Sequence, residues 1–341
     1  MEMRIGTETC NWFGDICSRP RVVVRPRSVE ELVAIVKDEA AYPSPVRAVG
    51  SNSSVTRCGT TDGGTLVDTT SMDRVLRVSE NHVGEGTVTA EAGALYVDVA
   101  EELQRQGLQF NVNLDYGNLT MGTAACTHTK DGSFPGEHGQ LSSYVVGVKL
   151  VTAEGEMLEV TEEEPELLRA VRTSFGLLGL VYEVTFRVEP LKPLAFYHES
   201  YSLDAFIDRL PELKARGEAL AYYFFPHHGG VTVEFRRYRD EGEPGDRQAW
   251  ALRNLAQRTV GPSSARLISR YVPERRLRDF LLDGNLRLYQ ALLNRLRSEE
   301  SFPADQVIRF PDRAGPSSFT FSLWAFPEEA FTDVLRAYYA F

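Results

Sequence analysis

The chain has 341 residues, 43% of them hydrophobic, and a formal net charge of −11 at pH 7. This length exceeds the usual size of one hydrophobic core and predicts two domains. The acidic balance argues against a nucleic-acid partner, and no stretch approaches the roughly 20 apolar residues that span a bilayer. The amino-terminal residues lack the apolar core of a signal peptide, so the sequence predicts a cytoplasmic protein with no membrane partner.

Four cysteines, Cys10, Cys17, Cys58 and Cys126, occur without CxxC spacing or neighbouring histidine pairs. This pattern does not support a zinc site, and no metal site is predicted. Because a reducing compartment is the default for such a chain, we expect free thiols.

The first elements predict a β-α-β unit. The β-branched run at 22–24 predicts a buried strand. A helix follows in which Ser28 caps the amide of Glu31 while Glu31 reaches back. Residues 46–49 predict the next strand, so the unit ends by delivering a polar turn.

This polar turn comprises residues 50–54. Gly50 permits backbone angles that are closed to other residues, and Ser51, Asn52 and Ser53 offer short donors behind it. Successive backbone N–H groups in such a turn can converge on an anion. Small polar clusters are also ordinary turn chemistry, so a solvated loop is the alternative at this point.

Further strands and helices complete a first domain, which ends near residue 190. Alternating or apolar runs predict strands at 65–68, 75–78, 87–92, 144–151, 157–160 and 184–188. Helical spacing predicts one helix over 96–106 and another beginning at Thr161.

The segment 111–139 differs because it is rich in Gly, Thr, Ser and Asn and has little periodicity. A polar segment of this length is uncommon in a compact domain unless it is functional. Its stretch 121–130 sets small side chains beside hydroxyls and one imidazole, which suits a flat ligand lying against the backbone. A tightly packed loop with a satisfied His128 is the alternative.

The second half predicts an antiparallel sheet with helices. Strands are predicted at 195–201, 219–225, 231–238 and 318–326, and helices at 203–216, 247–299 and 328–341. One apolar stripe on the long helical stretch is predicted to be core: Leu286, Tyr289, Leu292, Leu293 and Leu296.

Together these motifs resemble the FAD-binding domain of the vanillyl-alcohol oxidase (p-cresol methylhydroxylase, PCMH) superfamily, closest to its sugar-alcohol (alditol) and aldonolactone oxidase branch. The resemblance is carried, in chain order, by Asn11-Trp12, Arg25-Pro26, 49–54, 122–128 and 175–181. It implies an α+β fold. A two-subdomain PCMH-type FAD-binding domain would occupy 1–190, and an antiparallel-sheet-plus-helices cap (substrate) domain 191–341.

The resemblance also implies the residues that bind FAD. The phosphates would be held by Val49, Gly50, Ser51, Asn52, Ser53 and Ser54. The flavin side would be lined by Met121, Gly122, Thr123, Cys126 and Thr127, and the adenine half by Gly179 and Val181. There is no Gly-x-Gly-x-x-Gly turn into a helix and no Walker sequence, so nicotinamide and ATP sites lack support.

The chain departs from the family pattern in two places. Many relatives carry the covalent flavin anchor, a histidine, where this chain has Ser53, so the sequence predicts non-covalently bound FAD with weaker retention. Nothing in the sequence matches the family's C-terminal return segment, so the cap domain is expected to lack it, either as a shortened natural form or because the chain is incomplete. Thr320 and Ser322 stand where relatives often present an acidic residue.

Oxidation of an alcohol by a flavin requires a base for the hydroxyl proton. Candidates by position are His128, His138, His227 and His228, with His128 preferred and Lys130 as the electrostatic partner of a reduced flavin. Asp115 and Tyr116 could contribute to the pocket, or they could be a turn aspartate and a packing tyrosine, and the sequence favours neither interpretation.

The predicted function is therefore that of an FAD-dependent oxidoreductase, an oxidase or dehydrogenase. It would oxidise a polar alcohol, polyol or aldonolactone by hydride transfer. The alternative is a flavin-binding or partner-dependent protein with an incomplete redox site. The expected partner is a small-molecule substrate, and the oligomeric state is left open.

Overall fold

The computed structural model describes residues 1–80, 86–132, 134–239, 247–295, 300–310 and 324–340, which divide into two compact units. Unit 1 holds the described residues of Met1–Asp131, His138–Leu191 and Val307–Thr320. Unit 2 holds those of Gly132–Glu137, Lys192–Gln306 and Phe321–Phe341. Both units mix helices with sheets, in agreement with the predicted α+β class.

The predicted strands and helices of unit 1 occur in the predicted order. Its strands are β1 (Glu2–Ile5), β2 (Thr9–Cys10), β3 (Cys17–Ser18), β4 (Val22–Arg25), β5 (Val46–Val49), β6 (Thr65–Asp68), β7 (Val75–Glu80), β8 (Gly86–Glu91), β9 (Leu108–Phe110), β10 (Val145–Val151), β11 (Met157–Thr161) and β12 (Leu180–Pro190). Its helices are α1 (Val29–Lys37), α2 (Tyr96–Arg105), α3 (Met121–Cys126) and α4 (Pro165–Arg172). The structure adds four strands (β1, β2, β3 and β9) and helix α3 to the predicted elements.

The first sheet of unit 1 has the order β1-β4-β6-β5, with β6 parallel to both β4 and β5. Helix α1 covers it, and Leu32 and Ile35 are fully buried against Val24 and Val67. The predicted cap is confirmed, since the Glu31 N–H donates to the Ser28 hydroxyl. The Glu31 carboxylate accepts from the Arg27 N–H at 2.8 Å. This packing fixes the end of β5, from which the polar turn leaves.

The second sheet of unit 1 has the order β11-β10-β12-β8-β7, and β9 pairs with β12. The predicted hairpin between β10 and β11 is confirmed, and Gly155 in its turn has a φ of 76°. Helix α3 lies in the segment expected to be irregular. Six residues are too few to show a helical period in the sequence, and Ala124 and Ala125 pack in the core without marking a face.

The expectation of free thiols is wrong for two of the four cysteines. Cys10 and Cys17 form a disulfide, while Cys58 and Cys126 are free. Strands β2 and β3 pair in antiparallel register with Cys10 directly opposite Cys17. A separation of seven residues is not a recognisable cysteine motif, so the sequence did not indicate this pairing. The two sulfur atoms are brought together by the register of the hairpin.

Unit 2 is built on an antiparallel sheet, as predicted. Its strands are β13 (Leu194–Ser202), β14 (Ala219–Phe225), β15 (Gly230–Tyr238) and β16 (Glu300–Ser301), in the order β14-β15-β13-β16. Its helices are α5 (Leu203–Ala215), α6 (Arg247–Tyr271), α7 (Arg275–Arg295), α8 (Pro303–Gln306) and α9 (Phe331–Ala340). On one sheet face, Val231, Val233 and Phe235 form a core with Phe206 and Leu335.

Two expectations for unit 2 have different outcomes. The Leu286 stripe is not core, because Leu286 is 53% and Leu292 47% exposed, and Tyr289 is only half-buried. Helical spacing shows that apolar residues share a face but not what covers that face. The side chains of Leu293 and Leu296 lie outside the described residues, as does most of the predicted strand at 318–326. Residues 324–326 have no regular structure.

Candidate functional site

The polar turn leaves the end of β5 and packs closely on the residue before α3. The Val49 carbonyl accepts a hydrogen bond from the Thr69 hydroxyl at 3.1 Å. A Cβ atom built on Gly50 would lie 2.2 Å from the Thr120 hydroxyl oxygen. Gly50 is therefore required by close approach, whereas the left-handed conformation in the turn belongs to Asn52, with a φ of 53°.

Backbone donors remain available in the polar turn. Among the described residues, no acceptor receives a hydrogen bond from the backbone N–H groups of Ser51, Asn52, Ser53 or Ser54. These side chains are half-buried. Consecutive N–H groups beside a left-handed residue form a typical concavity for an anion. The turn thus has the donor set that a phosphate requires.

Asn118 connects the turn to another part of unit 1. The Ser51 hydroxyl donates to the Asn118 carbonyl. The Asn118 carboxamide in turn exchanges two hydrogen bonds with the backbone of Phe310, at 3.1 Å and 2.7 Å. The turn is therefore held by residues distant in the sequence.

The β2–β3 hairpin makes a second set of contacts with the turn. The Asn52 carboxamide donates to the Cys10 carbonyl at 3.0 Å, and the Trp12 N–H donates to the Asn52 carbonyl at 2.7 Å. The buried Asn11 carboxamide donates to the Ser54 carbonyl at 2.9 Å. The hairpin thus holds Asn52 and Ser54 by three hydrogen bonds.

A cavity of about 630 Å³ adjoins the turn. Its lining contains residues 49–52 and, among others, Arg4, Glu8, Cys10, Trp12, Arg25, Asp68, Asp73, Asp98 and Asn118. Two arginines thus face four carboxylates. Arg25 donates to Asp68 at 2.6 Å and 2.9 Å, and this hydrogen bond raises the pKa of the Arg25 guanidinium. An anion in this cavity would therefore depend chiefly on backbone N–H groups.

The other predicted cofactor residues lie elsewhere in unit 1. The side chains of Met121 and Cys126 are buried, and burial raises the pKa of the Cys126 thiol to about 11. Gly122 packs on Ala92, and its N–H donates to the Ala92 carbonyl at 2.8 Å. Thr123 and Thr127 are half-buried. Val181 is buried in β12, and Gly179, just before β12, lies against the Val151 carbonyl.

Thr120 connects this segment to the polar turn. Its hydroxyl oxygen lies 3.0 Å from that of Thr123, and the same hydroxyl faces Gly50. The start of α3 and the turn are thus brought together, although 121–127 is absent from the cavity lining. The roles of these residues in binding stay predictions.

The predicted catalytic pair is exposed. His128 Nδ1 lies 3.3 Å from Gln140 Nε2, and its ring lies 5.3 Å from that of Phe175. Lys130 is also exposed.

The other candidate histidines have different surroundings. His138 and His227 are exposed. His228 is half-buried, with Nδ1 2.8 Å from the Asp283 carboxylate and its ring stacked on Phe280. Such contacts anchor α7 to the turn before β15.

Unit 2 contains a buried charged cluster that the sequence predictions missed. Glu234 is 2% and Arg236 6% exposed on β15. The Glu234 carboxylate accepts from Arg236 Nε at 2.7 Å and lies 2.8 Å from His198 Nε2 on β13. The Arg236 guanidinium carbon lies 5.3 Å from the Phe196 ring centre. A carboxylate, a guanidinium and an imidazole are therefore held together on one sheet face.

A signal for this cluster was present in the alternation of β15. Apolar residues occupy 231, 233 and 235, so Thr232, Glu234 and Arg236 share the opposite face. Charged residues in such a pattern usually indicate a solvent face. The register that places His198 opposite Glu234 appears only in the folded sheet.

Comparison with known proteins identifies the domain that carries the turn. A family described as FAD binding domain matches residues 20–161. Residues 20–161 belong to this FAD-binding family. The matched range contains the polar turn and α3 and ends in β11. The predicted superfamily is confirmed, and FAD is the cofactor of this domain.

The curated relatives come from the predicted branch. L-Gulono-1,4-lactone dehydrogenase of Mycobacterium tuberculosis (strain ATCC 25618 / H37Rv) is 33% identical over 253 residues, 74% of this chain and 55% of that protein. D-Arabinono-1,4-lactone oxidase of Eremothecium gossypii is 30% identical over 64% of this chain and 41% of its own. L-Gulonolactone oxidase of Mus musculus is 26% identical over 72% and 54%. The chain spans about half the length of these relatives.

The residues present fit FAD in the FAD-binding domain. The available N–H groups at 51–54 match the pyrophosphate, and the absent side chain at Gly50 keeps the turn in contact with Thr120. Among the described helices, none has the length and apolar character needed to cross a bilayer.

Proposed function

We propose that this chain oxidises a CH–OH group of a polar, polyhydroxylated substrate of the aldonolactone class, with FAD bound through the polar turn. The observation that carries the proposal is the set of available backbone N–H groups at Ser51–Ser54 within a domain of the FAD-binding family. The relatives named as aldonolactone dehydrogenases and oxidases support the substrate class.

We propose further that the cofactor is held without a covalent bond. Ser53 carries a hydroxyl, 3.5 Å from that of Ser51, and a serine cannot form the linkage made by an imidazole. Acid precipitation should therefore leave the yellow colour in the supernatant. Flavin that stays in the washed pellet would contradict this.

Unit 2 is proposed to be the cap domain that binds the substrate. The Glu234 carboxylate and the Arg236 guanidinium of this unit are bonded to each other and are buried, and His198 contacts the carboxylate from β13. We therefore propose that this cluster holds the sheet of the cap domain in shape and does not itself contact the substrate.

The reaction needs a hydride acceptor and a proton acceptor. Bound FAD supplies the hydride acceptor. His128 remains the proposed base, and its exposed position permits exchange of the proton with solvent. Lys130, two residues further along the chain, is the proposed positive charge that compensates the reduced flavin.

The decisive experiment is anaerobic reduction of the bound flavin. Bleaching of the flavin absorbance would be followed with a panel of aldono-1,4-lactones, the corresponding open-chain acids and polyols. We expect the lactones to bleach it. His128→Gln should slow bleaching, whereas the control Glu212→Gln, on the exposed face of α5, should not change it. A flavoprotein that no member of the panel bleaches would refute the proposal.

A further inference from the structure

The Cys10–Cys17 disulfide closes a hairpin that forms part of the cofactor cavity wall. Strands β2 and β3 contribute two residues each, and such a short two-stranded pair has little stability of its own. Cys10 is exposed and lines the cavity, so the bond is accessible to a small thiol reagent. The cross-link therefore has a mechanical role in keeping the hairpin folded.

Asn11 couples the hairpin to the turn. Its side-chain oxygen accepts from the N–H groups of Asp15 and Ile16 at 3.1 Å and 3.2 Å, inside the loop that the disulfide closes. Its side-chain nitrogen donates to the Ser54 carbonyl. The same side chain thus needs the folded hairpin and holds the end of the polar turn.

Asn52 depends on the hairpin from both of its ends. Its carboxamide donates to the Cys10 carbonyl, and its own carbonyl accepts from the Trp12 N–H. A positive φ is uncommon for a residue other than glycine and persists where the surroundings fix it. Because Asn52 stands among the available N–H groups, its conformation decides whether they converge.

We propose that the Cys10–Cys17 hairpin is a redox-sensitive clasp on the polar turn, and that its reduction lowers the affinity for FAD. The inference rests on the proposed function, in which the FAD phosphates bind at this turn. A dithiol would supply two electrons and two protons, become a disulfide itself and leave Cys10 and Cys17 as thiols. Loss of the cross-link frees the hairpin, and Asn52 and Ser54 then lose their three hydrogen bonds.

The first test is FAD titration of the apoprotein, followed by flavin fluorescence, in both redox states. All proteins carry Cys58→Ser, because the Cys58 sulfur lies 3.4 Å from the Ser54 hydroxyl and is a second thiol at the turn. Reduction with dithiothreitol should raise the Kd at least about fivefold, which is the effect of losing even one of the three hydrogen bonds. Reoxidation should restore it. Cys10→Ser/Cys17→Ser should bind like the reduced protein and not respond to the reagent.

A second variant tests the route through Asn52. Glycine adopts a left-handed conformation without support. In Asn52→Gly the ratio of reduced to oxidised Kd should therefore fall toward one. A ratio as large as with Asn52 present would contradict that route.

Hydrogen exchange of the apoprotein separates failure of the clasp from failure of the proposed function. Reduction should speed exchange in the hairpin at residues 11, 12 and 14–16, whose N–H groups are hydrogen-bonded, whether or not FAD is present. If the oxidised protein does not bind FAD, the proposed function fails, and faster exchange still supports the clasp. Equal exchange in the two redox states overturns the clasp, and so does an equal Kd.

Discussion

Gly50→Ala is the sharpest test of how the polar turn is built. The new Cβ would lie 2.2 Å from the Thr120 hydroxyl oxygen, 2.5 Å from Cγ2 and 2.9 Å from Cβ. These distances are too short for any side-chain contact, and Thr120 is 1% exposed, so it has little space into which to retreat. The turn must therefore move away from α3, although the φ of Gly50 is open to alanine.

The size of the effect follows from overpacking. One extra methyl group in a packed site costs about 1–3 kcal/mol. If this displaces the turn from its FAD-binding conformation, the Kd for FAD rises roughly 5- to 150-fold. Isothermal titration of the apoprotein measures the change. Gly147→Ala is the matched control, because its Cβ would lie 3.6 Å from the nearest atom, in ordinary contact.

A second substitution checks that the clash is the cause. Thr120→Ala removes the two closest atoms, so Gly50→Ala/Thr120→Ala should recover part of the lost affinity. The two changes would then be non-additive, as expected for residues in contact. Wild-type affinity in Gly50→Ala, or additive losses in the double variant, would refute the packing argument.

Three further outcomes are expected. Ser53→His should retain a fraction of the flavin with the acid-precipitated protein, and complete release would count against this position as the anchor site. Glu234→Gln should destabilise the fold by about 3–5 kcal/mol, because it removes the carboxylate from the buried Arg236 guanidinium, and unchanged urea unfolding would contradict this. Because burial raises the pKa of Cys126 to about 11, its protonated thiol stabilises the fold below pH 9, and this contribution, up to about 3 kcal/mol, is lost between pH 9 and 11. The stability difference between wild type and Cys126→Ala, from urea unfolding, should therefore shrink over that range, and a constant difference would contradict the assignment.

Local chemistry made the first sheet and its helix predictable. The Ser28 cap and the apolar residues around Leu32 are consecutive or one helical turn apart, so the sequence displays them directly. The polar turn was located for the same reason, because it follows a short β-branched strand. The choice of Gly50 as the residue with unusual backbone angles was wrong. Position 50 requires a residue without a side chain because it contacts Thr120, seventy positions away in the sequence, whereas the left-handed backbone conformation occurs at Asn52. The sequence alone does not separate these two requirements.

Pairings across the chain account for what sequence reasoning missed. The disulfide depends on the register of β2 with β3, and the Glu234 cluster on the register of β13 with β15. Neither register has a local motif. The prediction that the Leu286 stripe is core was wrong for a different reason. The helical spacing correctly indicates a shared face of α7, but only the folded chain shows that this face is exposed at Leu286 and Leu292.

Charge explains why backbone geometry is decisive at this site. FAD brings a pyrophosphate with two negative charges, yet the cavity offers Arg4 and Arg25 against four carboxylates, and Arg25 is already bonded to Asp68. Attraction by side chains therefore supplies little of the binding energy. Under the proposed function the N–H groups at 51–54 supply it, and dipoles act only when they converge on the anion. We therefore expect cofactor retention to depend on two features, the contact of Gly50 with Thr120 and the proposed clasp on Asn52.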